Sequence, residues 1–294
     1  MYRRLSTCFC GEAMWREVEG AAIGGDEVLI EVHSFLLGAA DRALLNCIAI
    51  SSTHRVLGSA GVGRVIDQGP LVEDDIVGRV VVSSPLCRDR VVPIEIDGAA
   101  QRYWAIPREC VEVVPPNLVE DQLSVLTKYL AIPRRVIEAA IGRDVLVVGD
   151  DPLAIAVIEL CRGIASRVAT VSKLGPRKPL KGVETLSLSE KRREFDVVFL
   201  LTEDPLALRC AARLCRDRGT VFMHYLYRAV VYPLHFRKDA KYVVIEPSSI
   251  RRGIEVVQRI RSILSQSIPI LYADRFQRVV VPSVILFKTL SRNT

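Results

Sequence analysis

Between positions 144 and 171 the chain reads DVLVVGDDPLAIAVIELCRGIASRVATV, and no other stretch constrains the fold as strongly. DVLVV is a continuous apolar run, as expected of a strand covered on both faces. Gly149 ends it. Asp151-Pro152 then supplies an acid at the N-cap and a proline in the first turn, which is a well-formed helix start. The segment that follows reads as a helix, and RVATV as a second buried strand. Two such strands joined by a helix lie parallel in one sheet with a right-handed crossover. The pattern continues through FDVVFLL (195–201), a helix over DPLALRCAARLCRDRG, TVFMHYL (220–226), AKYVVIEP (240–247) and an amphipathic helix over IRRGIEVVQRIRSIL (250–264). Alternation at this spacing predicts an α/β domain with a doubly wound parallel sheet.

The first third has another character. EVLIEVHSFLL (27–37), GVGRVIDQG (61–69) and DIVGRVVVSSPLC (75–87) read as strands separated by Gly, Pro and Asp, and AQRYWAIPRECVEVVPPNL as strand, turn and strand. A helix is expected from Val119 to Ala140, opening on Glu120 and Asp121, with Pro133 kinking or dividing it. The tail IPILYADRFQRVVVPSVILFKTLSRNT returns to short strands. The expected organisation is a discontinuous β domain of 1–118 and 268–294 around an α/β domain of 119–267.

Half of the 294 residues are hydrophobic, which suits two packed cores and argues against disorder. No apolar run approaches the roughly 18 residues of a membrane span, and the N-terminus lacks a signal-peptide core, so a soluble cytoplasmic protein is expected. The net charge of +6 comes from 40 basic and 34 acidic residues. The basic clusters Arg177-Lys178, Lys191-Arg192-Arg193 and Arg251-Arg252 are interleaved with acids, so they read as solvated faces and nucleic-acid binding is not expected. The eight cysteines contain no CxxC pair. Free thiols are expected, with Cys161, Cys210 and Cys215 on apolar helical faces. The abundance of Arg and Ile points to a thermophile, in which intracellular disulfides do occur. Cys8 and Cys10 stay open as a metal or disulfide pair.

In order and over nearly its whole length, the chain resembles the zinc-type medium-chain dehydrogenase/reductases. VLIEVHSFLLGAADRAL, RVLGSAGVGRVIDQG, WAIPRECVEVVPPNL, DVLVVGDDPLAIAVIELCRGIASRVATVS and FDVVFLLTEDPLALRCAARLCRDRGTVFMH carry the resemblance. It implies a GroES-like β-barrel domain completed by the tail, a Rossmann domain between, and a homodimer.

The same resemblance shows what is missing. A catalytic zinc needs about three protein ligands and an open position. Gly38 stands at the ligand cysteine, Ala40 at the relay hydroxyl, and Gly58-Ser59-Ala60 at the Gly-His-Glu triplet. Thr127 falls in the third ligand region. The lobe that would hold a second, structural zinc is shortened to VVSSPLCRDRVVPIEIDG, with Cys87 alone. His33, His54, His224 and His235 lack ligand spacing and read as structural. No zinc is expected.

The phosphate-binding fingerprint GxGxxG becomes Gly149-Asp150-Asp151-Pro152-Leu153-Ala154. Asp151 replaces the second glycine. A carboxylate about 4 Å from a phosphate charge costs about 4 kcal/mol at an effective dielectric of about 20. Two readings stay open: a vestigial site capped by its own acid, or a usable site with the side chain turned outward. Ser172-Lys173 ends the second strand where NAD-binding chains carry an acid, so NADP is favoured over NAD, with Arg177 and Lys178 able to meet a 2′-phosphate. The candidate cofactor residues are Gly149, Asp151, Pro152 and Leu153, then Ser172, Lys173, Arg177 and Thr202. Asp41, Ser59, Thr127 and Tyr129 would line the cleft, and no catalytic role is assigned. The expected function is a zinc-independent NAD(P)-dependent oxidoreductase acting on a small carbonyl, enone or quinone. The alternative is a non-catalytic pseudoenzyme serving as scaffold, sensor or complex subunit.

Overall fold

The computed structural model describes residues 1–9, 12–49, 54–119, 121, 123–171, 182–186, 194–230, 239–268, 270–272, 278–279 and 285–288. The chain opens with a hairpin of β1 (Tyr2–Phe9) and β2 (Glu12–Val18), which the sequence reading did not anticipate. β3 (Glu27–Leu37) follows, and its alternating sequence becomes alternating burial until both faces are covered at its end. After α1 (Ala39–Leu45) come β4 (Ala60–Gln68), β5 (Val80–Ser83), β6 (Leu86–Cys87), β7 (Arg90–Val91), β8 (Tyr103–Pro107) and β9 (Val111–Val113).

β3 organises this half. It pairs antiparallel with β4 along its length, with β8 through Glu27–Glu31, and with the tail strand β18 (Ile285–Lys288) through Ser34–Leu37. The small sheet of β1 and β2 also takes a tail strand, β17 (Arg278–Val279), against β2. Cys87 and Cys110 form a disulfide. The expectation of free thiols therefore fails for this pair, which the fold brings together from β6 and the turn before β9, and for Cys47, which is also disulfide-bonded. Cys161 and Cys215 are buried thiols outside any disulfide, as expected, although Cys215 opens a strand and is not helical. The side chains of Cys8, Cys10 and Cys210 lie outside the described residues.

The expected long helix over 119–140 is replaced by α2 (Leu126–Tyr129) and α3 (Arg134–Glu138). Pro133 divides them and stands at the N-cap of α3 in an extended conformation. The Asp121 carboxylate accepts from the Leu123 amide in a turn instead of starting a helix.

The α/β half runs β10 (Asp144–Val148), α4 (Pro152–Cys161), β11 (Arg167–Val171), β12 (Glu184–Thr185), β13 (Phe195–Leu200), α5 (Pro205–Ala212), β14 (Cys215–Met223), β15 (Lys241–Val244) and α6 (Ile250–Ser267). The sheet order is β12-β11-β10-β13-β14-β15, every pair parallel. The apolar run in β10 serves both faces. Val145 and Val147 join one core with Leu153 and Val157 of α4, and Leu146 and Val148 join another with Ala207 and Leu208 of α5. α5 ends earlier than the sequence suggests, because β14 begins at Cys215. β16 (Ile270–Tyr272) pairs parallel with β18 and completes a seven-stranded sheet whose other described pairs are antiparallel. The order of the parallel sheet reverses between β11 and β13. This switch at the carboxyl end of β10 is where doubly wound sheets take ligands.

Candidate functional site

Three loops leave the carboxyl ends of β10, β13 and β14 at this switch: Gly149-Asp150-Asp151, Leu201-Thr202-Glu203 and His224-Tyr225. α1 and Ser59 approach from the antiparallel half, and Tyr129 ends α2. Gly149 has φ +145°, and a Cβ there would lie 2.3 Å from the Leu201 carbonyl oxygen, so only glycine fits the crossing. Asp151 caps α4: its Oδ1 accepts from the Ala154 amide at 2.8 Å, and Pro152 fills the first turn. Leu153 is buried in the core. Thr202 is buried, and its hydroxyl accepts from the Asp204 amide. Ser172, Lys173, Arg177 and Lys178 lie outside the described residues.

The Asp151 carboxylate is fully buried and turned inward. Its Oδ2 accepts from the Tyr129 hydroxyl at 2.7 Å, and His224 Nε2 faces the same oxygen at 3.5 Å. His224 Nδ1 accepts from the Leu226 amide at 3.1 Å, which assigns the ring proton to Nε2 and aims it at the carboxylate. Burial acts to raise the Asp151 pKa. The His224 contact, the Ala154 amide and the charge of Arg42 outweigh it, and the carboxyl lies below its ordinary range. Tyr129 and Tyr225 are held neutral, chiefly by burial and then by nearby carboxylates. Their rings meet edge to face at 5.9 Å, and the Tyr225 hydroxyl is buried.

A second buried carboxylate pins α1. Asp41 accepts from the amides of Gly38 (2.7 Å), Gly58 (2.6 Å) and Ser59 (3.1 Å), and from the Ser59 hydroxyl. Burial pushes it up to about 6 against the pull of these four bonds. One residue on, Arg42 leaves the antiparallel half and enters the loops of the parallel sheet. Its Nη2 donates to Asp150 Oδ1 at 3.2 Å and to Glu203 Oε2 at 2.8 Å, and its Nε lies 2.8 Å from Glu203 Oε1. Burial works against the guanidinium charge, but Glu203 and Asp150 hold its pKa above the ordinary value.

Of the cleft residues expected from the sequence, Asp41, Ser59 and Tyr129 do converge. Thr127 does not, since its hydroxyl donates to the Ser124 carbonyl within its own turn, at 2.6 Å. Arg42, Asp150, Glu203, His224 and Tyr225 were missed as participants. Arg42 and Glu203 are 161 residues apart, and no local pattern signals such a pair.

The positions where the resembling family holds its zinc and its cofactor phosphate are both occupied by side chains of this protein. At the matched zinc position, a Cβ on Gly38 would meet the Tyr129 hydroxyl at 3.0 Å and the Ser59 hydroxyl at 3.2 Å. The space for a cysteine ligand is filled by oxygens already bonded to Asp151 and Asp41. Among the described residues no group of three His, Cys, Asp or Glu has metal-binding geometry. The stretch matched to the structural-zinc lobe is closed by the Cys87–Cys110 disulfide. At the phosphate position, the N-terminus of α4 already holds a carboxylate. A cavity of about 320 Å³ opens instead among Arg88, Glu109, Lys128 and Glu246.

No family model matches the sequence, and no curated relative does. The solved structures show the fold. A protein described as a zinc-binding dehydrogenase from Sinorhizobium meliloti 1021, bound to NADP, superposes with a TM-score of 0.71 at 18% identity, over 98% of this chain and 99% of that one. Acetophenone reductase from Geotrichum candidum in complex with NAD gives 0.70 at 15% identity, over 98% and 97%. A cobalt- and zinc-bound thermostable alcohol dehydrogenase from Pyrobaculum aerophilum gives 0.66 at 17% identity, over 98% and 99%. The chain thus has the medium-chain dehydrogenase/reductase fold, a GroES-like domain joined to a Rossmann domain.

Proposed function

We propose that this chain is a catalytically silent protein on a dehydrogenase fold, working as a scaffold or as a subunit of a larger assembly and not by hydride transfer. One observation carries the reading. The Asp151 carboxylate sits on the N-terminus of α4, fully buried, and caps it from within. A helix N-terminus binds a phosphate through free amides and its dipole. Here the amide and the dipole are engaged by a side chain that would also repel the ligand, by about 4 kcal/mol at close approach. That is nearly three decades of affinity. The filled space beside Gly38 supports the same reading, since it removes the electrophile from the other side of the cleft.

The competing reading is a zinc-independent NAD(P)-dependent reductase of a small carbonyl, enone or quinone. Its support is Gly149, kept in its tight crossing, and the NADP and NAD carried by structures of the same fold. Thermal unfolding with and without about 1 mM NADPH or NADH separates the two. A usable site at 100 times its Kd would add about 2.7 kcal/mol, a rise of a few degrees. No shift with either nucleotide is expected. A clear rise with NADPH would overturn the silent reading in favour of the reductase.

A further inference from the structure

We propose that Arg42 is an internal latch that holds the two halves of the molecule closed without any ligand. The inference deepens the silent reading, on which it rests. α1 follows β3 and belongs to the antiparallel half. Asp150 and Glu203 stand just past β10 and β13, the strands that flank the switch point. Arg42 therefore spans the crevice that a doubly wound sheet offers to ligands, and any occupant would have to displace it.

The charges make the latch directional. Asp150, Asp151 and Glu203 bring three carboxylates to one end of the sheet, and the guanidinium of Arg42 acts on all of them. It is bonded to Asp150 and Glu203, and its charge also lowers Asp151. It is only 5% exposed. Without it the three acids are left close together with reduced compensation, and they repel. Its planar fork engages two carboxylates at once, which lysine cannot reproduce. The Tyr129–Asp151 bond lies alongside and closes the same crevice.

The test is a pulsed-dipolar distance measurement between spin labels on ketone-bearing unnatural residues at the positions of Val77 and Leu206, one in each half and both half exposed. Wild type is expected to give one narrow distribution, unchanged by 1 mM NADPH. Arg42→Met is expected to add a longer-distance population, and Arg42→Lys to restore the narrow one only in part. An Arg42→Met distribution that superimposes on wild type would overturn the proposal. Should Arg42→Met not fold, Glu203→Gln serves in its place, since it leaves the Asp150 contact. A longer-distance population is again expected, and its absence again overturns the latch. A nucleotide-induced rise in wild-type melting would sink the silent reading, whereas the latch stands or falls on the label distances.

Discussion

Asp41 shows how much a single residue can be asked to hold. It lies buried with four donors around its carboxylate, and burial still raises it to about 6. A carboxyl raised in the folded state favours the protonated form. Its contribution is complete below its unfolded value of about 3.9 and is lost as the pH rises through about 6. The span of about two units corresponds to about 3 kcal/mol. Comparing chemical denaturation of wild type and Asp41→Asn from pH 4 to pH 7 should show their stability difference changing by that order, with most of the change between pH 4 and 6. A difference that stays flat over this range would contradict the assignment. The sequence shows which residues these are but only part of what they do. Asp151-Pro152 is legible as a helix start because a cap is local, set by neighbours one to three residues away. The inward turn of the same carboxylate toward Tyr129 and His224 depends on partners 22 and 73 positions off, and no short pattern encodes it.

Elements were legible where one periodicity dominates. β3 and β10 follow their sequence patterns because alternation and continuous apolarity each describe one burial regime. The segment from Val119 to Ala140 was misjudged in extent. Pro133 has no amide hydrogen for the preceding turn and holds its own φ, so a continuous helix gives way to two short ones. The disulfide was not legible either, since spacing along the chain does not reveal which cysteines face each other. Cys87 and Cys110 are 23 residues apart, and they tie the β6–β7 hairpin to the turn before β9. Closing a loop of that length contributes about 3 kcal/mol in the chain-entropy account. The double substitution Cys87→Ala and Cys110→Ala should lower the urea midpoint accordingly. An unchanged midpoint would mean that packing alone holds the hairpin.

At the scale of the whole molecule, order of elements settled the architecture, because few topologies satisfy right-handed crossovers and short connections. The closure of the two halves on each other was beyond reach of that reasoning. One apolar cluster runs from Phe35 and Leu57 through Leu126 to Val147 and Val256, and it belongs to both halves. Two-domain chains often unfold in separate steps. Here calorimetry should record a single transition, with calorimetric and van't Hoff enthalpies in agreement. Two resolved peaks would show that the shared core is too weak to couple the halves. The buried carboxylate of Asp151 also couples parts that lie far apart along the chain. It serves the helix, the Tyr129 hydroxyl and His224 together, so glycine at 151 would take a shared partner from both side chains, and phenylalanine at 129 would take one donor from the acid. Each single change leaves a poorer protein, so these three residues are constrained to change together.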